Sequence, residues 1–98
     1  METGDRAIIK MKEALAVDMI VNPMAYKAKV LDLDEEKENI SFQIEKKDLA
    51  SIAQDAIYEV TIETGTNNEV YLGNVVERFN DKKGSIINFH IKNGVYIR

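Results

Sequence analysis

Two stretches of this chain rhyme, and the rhyme limits what the chain can fold into. Residues 71–91 read YLGNVVERFNDKKGSIINFHI, and residues 26–44 read YKAKVLDLDEEKENISFQI. Each opens on Tyr-x-[Ala/Gly]-x-Val, then a second aliphatic residue and an acid, from Tyr26 to Asp32 and again from Tyr71 to Glu77. Each crosses a charged turn and closes on Ile-x-Phe-x-Ile, at Ile40, Phe42 and Ile44 and at Ile87, Phe89 and Ile91. Successive side chains of a strand point to opposite faces, so this alternation specifies strands with one buried face. In both hairpins a doublet, Val30-Leu31 or Val75-Val76, shifts the alternation by one residue, as a β-bulge does where a wall bends.

The remaining segments fit around the hairpins. Residues 5–16, DRAIIKMKEALA, place Ile8, Met11 and Leu15 at helical spacing, which predicts an N-terminal helix within residues 1–16 acting as a lid. Val17, Met19 and Val21 alternate as a first strand that Asn22-Pro23 ends, since proline cannot donate to a ladder. After Asp48, a suitable N-cap, Leu49, Ile52, Ala53 and Ala56 share one helical face and predict a short helix linking the halves. Tyr58, Val60 and Ile62 alternate as a strand that a turn at Gly65 to Asn68 ends, and Asn93-Gly94 is a turn signal that would fold Val95 to Ile97 back as a last short strand. The expectation is all-β with short helices: one domain over residues 1–98, with residues 17–97 forming a six-stranded antiparallel barrel of two three-stranded meanders. Tyr26, Val30, Phe42, Tyr58, Val60, Ile62, Tyr71, Val75, Phe89 and Ile91 are its expected inward residues. Gly73 within a strand, with Ala28 as its counterpart, marks a crowded crossing over an aromatic ring from Tyr26, Tyr71, Phe42 or Phe89.

Chemistry is sparse in these residues. The 98 residues include no cysteine, so no thiolate metal site or thiol nucleophile exists, and a reducing cytoplasm suits such a chain. No apolar run has the length of a bilayer span, so membrane insertion is not expected. A net charge of −4 argues against nucleic acid as the main partner, because nonspecific affinity for it needs a positive footprint. The turn from Asp34 to Asn39 gathers four acids without the ligand spacing or central glycine of a calcium loop. His90, the one histidine, lies on the outer face of its strand, and no glycine-rich loop opens a helix to hold a phosphate. We therefore expect no enzyme, no cofactor, no catalytic residue and no metal site. Glu77 and Arg78, after the second bend, and Lys82 and Lys83, at the turn beyond, are the candidate partner-docking residues.

The run Tyr26 to Asp32, the Ile-x-Phe-x-Ile strand, Tyr58 to Ile62 and Tyr71 to Arg78 together resemble the N-terminal barrel of the YcgR flagellar-brake family, in which a split barrel precedes a PilZ domain that binds cyclic di-GMP. The resemblance spans residues 17–91 and implies a PilZ-like fold. It also implies a role in cyclic-di-GMP signalling or motility control through a protein partner or an adjacent PilZ-type domain. The family's nucleotide motifs, Arg-x-x-x-Arg and [Asp/Asn]-x-Ser-x-x-Gly, are missing: Arg6, Arg78 and Arg98 are isolated, and Ser41, Ser51 and Ser85 lack the frame. The alternatives are a nucleic-acid-binding small barrel of the Sm or OB type and a split-barrel dimer holding a flavin. Nothing in the residues fixes the oligomeric state.

Overall fold

Alternation with period two reaches further toward the N-terminus than the helical stripe suggested. In the computed structural model, which describes residues 1–14 and 24–97 and only the backbone of 14 and 94–97, the first element is strand β1, Arg6–Ala14. It is followed by β2 (Ala25–Asp34), β3 (Asn39–Ile44), a 3-10 helix (Lys46–Ser51), β4 (Ala56–Glu63), β5 (Asn68–Asp81) and β6 (Gly84–Ile97). The expected N-terminal helix over residues 1–16 is thus replaced by a strand: Ala7, Ile9 and Met11 are buried, while Arg6, Lys10 and Lys12 are exposed. The same residues satisfy either period, and the adjacent β-branched pair Ile8-Ile9 suits the pleat better than a helix. The first strand expected at Val17 to Val21 lies outside the described residues.

The strands close into an antiparallel barrel in the order β1-β2-β3-β6-β5-β4, with β1 pairing back onto β4. Two meanders, β1-β2-β3 and β4-β5-β6, meet along the β3–β6 and β1–β4 seams. Both anticipated bulges are present, as register shifts that skip Leu31 in β2 and Val76 in β5. The expected inward residues line one core, nine of them buried and Ile91 half-buried against it.

Registers in the two halves correspond residue by residue. With Tyr26, Ala28 and Val30 equivalent to Tyr71, Gly73 and Val75, the pair Val30–Phe42 matches Val75–Phe89, and Leu33–Ile40 matches Arg78–Ile87. Across the seams Ile40 faces Phe89 and Phe42 faces Ile87, while Ala7 faces Ile62 and Met11 faces Tyr58. The pairs Ser41–Asn88 and Ile9–Val60 map onto themselves, so an approximate two-fold axis crosses the barrel through these two seams and exchanges its ends. The Phe42 and Phe89 rings meet edge to face near this axis, centroids 6.2 Å apart.

Two local expectations are corrected. The expected short linking helix is present as a six-residue 3-10 helix, but it starts before Asp48 and ends early: its N-cap position is Glu45, and Ala56 already belongs to β4. Its apolar residues are still used, because Ile52 is fully buried and Leu49 and Ala53 pack on the core. Asn93-Gly94 does not reverse the chain; β6 continues to Ile97 along β5, and the extra residues are taken up by register shifts around Leu72. A chain already paired with a long neighbour gains more ladder bonds by bulging than by turning back.

Candidate functional site

The four candidate docking residues lie on the arm where β5 and β6 run together to a tight turn. Asp81 pairs with Gly84, which takes φ 113°, so Lys82 and Lys83 form the two-residue tip; the Lys83 N–H donates to Asp81 Oδ1 at 2.6 Å. All four residues are exposed, but they do not form one cluster. Strand parity separates the first two: Glu77 lies opposite Asn88 on the outer face, and Arg78 lies opposite the inward Ile87.

Glu77 ends a polar ladder across β5, β6 and β3. Asn88 Nδ2 donates to Glu77 Oε1 at 3.1 Å, and Ser41 Oγ donates to Asn88 Oδ1 at 2.7 Å. Next to it, His90 Nδ1 lies 2.8 Å from Asn39 Oδ1, so the histidine is on the outer face, half-buried against an amide.

Arg78 is tied to the linker. Its Nη1 lies 2.5 Å from the Ile52 carbonyl oxygen, 3.2 Å from that of Ala50 and 3.4 Å from that of Leu49, a fan of donations that gathers the end of the 3-10 helix under the barrel. Gln54 Nε2 adds a bond to the carbonyl of the bulged Val76 at 3.0 Å, and the Ala53 N–H donates to the Tyr58 hydroxyl at 2.8 Å. Arg78→Ala should therefore destabilise the protein by about 1.5 to 3 kcal/mol, the usual worth of a hydrogen bond to a charged group. Chemical denaturation measures it, and a loss below about 0.5 kcal/mol, the range of an ordinary surface substitution, would show that the clamp contributes nothing.

The tip returns to the wall. Gln43 Nε2 donates to the Lys83 carbonyl at 2.7 Å, which sets Lys82 and Lys83 at the edge of β3. On the far side of Gln43 the outer face of β1–β3 is concave, about 570 Å³ in volume, with Arg6, Lys27 and Lys29 around Ile8. This grouping was hidden from the sequence. The alternation of Lys27 and Lys29 with Tyr26, Ala28 and Val30 marks the two lysines as outward, but Arg6 joins them only because β1 is a strand in register with β2.

Burial raises the phenol pKa of Tyr58 above its ordinary value; the Tyr71 phenol is raised by burial first and then by the charge of Glu69. Both phenols are neutral at neutral pH, and that of Tyr58 also accepts the Ala53 N–H. Among the described residues, no three His, Asp or Glu side chains gather as a metal set, and no helix is long and apolar enough to cross a membrane. No protein-family model matches the chain, and no curated protein or solved structure is significantly similar to it.

Proposed function

We propose that this chain is a non-catalytic interaction module, a barrel of the PilZ-like type that works in the cytoplasm by contact with a protein partner or an adjacent PilZ-type domain in cyclic-di-GMP or motility control. The observation that carries this reading is the β5–β6 arm. Three large hydrophobic side chains are exposed among the described residues, and two of them, Val76 at 40% and Phe79 at 36%, lie on β5 on either side of the Glu77–Asn88 pair. An apolar patch beside charged groups is the usual composition of a protein contact surface. The lack of clustered arginines supports contact over nucleotide capture, since a dianionic ligand needs converging guanidinium donors.

The test compares wild type with the double variant Val76→Ser, Lys82→Glu in co-purification from the native host, leaving Arg78 in place as part of the frame. A PilZ-domain or motor protein recovered with wild type and reduced more than tenfold by the variant, about 1.4 kcal/mol, is the expected result. Equal recovery by both removes the arm. A low-micromolar calorimetric titration of the isolated chain with cyclic di-GMP would replace the contact reading with direct nucleotide binding.

A further inference from the structure

We infer that the concave outer face of β1–β3 is a docking groove for an acidic peptide, bound extended with an apolar residue at its centre. The groove lies across the barrel from Val76 and Phe79, and the inference stands whether or not that arm docks.

Charge placement supplies the first argument. Arg6 lies directly opposite Lys29, and Lys27 is opposite Ile8 two pairs further along. Like charges directly opposite each other destabilise a sheet, so the Arg6–Lys29 pair costs the fold something and returns nothing to it. Among the described residues, neither these two nor Lys27 makes an ion pair. Two acids at the rim offset part of this charge: Glu45 is paired with Lys47 at 3.2 Å, and Glu63 faces Arg6 in register without an ion pair, so Lys27 and Lys29 are the cations left facing the hollow. A chain of net charge −4 thus keeps three cations against two acids around one hollow.

Shape and spacing identify the occupant. Lys27 and Lys29 are two residues apart on one strand, about 7 Å along it. An extended peptide presents alternate side chains at the same spacing, so successive acids can meet successive lysines. The floor between the cations is Ile8, half-buried, which suits one apolar side chain of the guest. Among the described residues no aromatic side chain lines the hollow, so a base would have no ring to stack on.

The probe is a fluorescein-labelled peptide in which aspartates alternate with serines on both sides of one leucine, titrated against the whole chain by anisotropy at low and physiological salt. We expect saturable binding that weakens with salt, falls at least tenfold in Lys27→Glu and in Lys29→Glu, and stays within twofold in Lys92→Glu, an exposed position on β6 away from the hollow. Lys29→Glu should at the same time raise the melting temperature, because a glutamate there faces Arg6; binding lost while stability is gained separates a site from a damaged fold. The same peptide with asparagine for aspartate should not bind. The inference is overturned if no saturation occurs below about 1 mM, or if both charge reversals bind as wild type does. Tighter binding of polyuridylate than of the peptide would overturn it too, and would assign the face to nucleic acid.

Discussion

Truncating Phe42 or Phe89 to alanine should lower the unfolding free energy by about 3 to 5 kcal/mol, the range for deleting a large buried ring. Neither ring exposes any surface, and each meets the other at an interplanar angle of 66°, so either deletion leaves a hole and strips its partner of an edge contact. The rings touch, so the double variant should cost less than the sum of the single losses. Urea denaturation of the three variants measures both points. A single loss under about 1 kcal/mol would mean that the wall collapses into the gap and that the packing at the two-fold axis is soft.

Gly73→Ala should be nearly as damaging, about 3 kcal/mol or more, although it adds only one methyl group. A Cβ at this position would overlap the carbonyl oxygen of His90 on the paired strand and lie 2.8 Å from the Phe89 ring edge. The first neighbour is backbone inside a ladder and the second is locked in the core, so neither can step aside cheaply. Gly65→Ala is the matched control, because nothing lies within 4 Å of its added methyl. Thermal melts of the pair should separate widely; equal melting temperatures would disprove the close approach.

The legible part of this fold was the part written twice. Alternation in Tyr26 to Val30 and Tyr71 to Val75, the doublets that became bulges, and glycine opposed to an aromatic ring all depend on nearest neighbours in a strand, and local sequence encodes those. Residues 5–16 were misread because Ile8, Met11 and Leu15 mark a helical stripe as well as Ala7, Ile9 and Met11 mark a strand face. Only the two ladders that β1 makes, with β2 on one edge and β4 on the other, decide between them. The linker was misjudged for a similar reason: Leu49, Ile52 and Ala53 were correctly apolar, but the carbonyls at the end of their turn are held by Arg78, more than two dozen residues away. The cationic hollow suffered most, since Arg6, Lys27 and Lys29 become neighbours only through strand register.

Near-symmetry raises a difficulty of identity that this chain resolves at one end of the barrel. Two halves with the same register are almost interchangeable, so during folding a first half on one chain could accept either a second half or another first half as its mate. The exceptions to the correspondence fall where they can lift that degeneracy. Tyr58 stands where the other half has Ala7, and Arg78 where it has Leu33, and both larger polar residues hold the 45–55 linker, through Ala53 and through the carbonyls of Leu49, Ala50 and Ile52. A pair of first halves would offer the linker neither anchor. A pair of second halves would set one phenol and one guanidinium at each end, doubling the anchors. Only one copy of each half supplies a single set of anchors at the end where its own linker passes, so the connecting segment works as an address label as well as a tether.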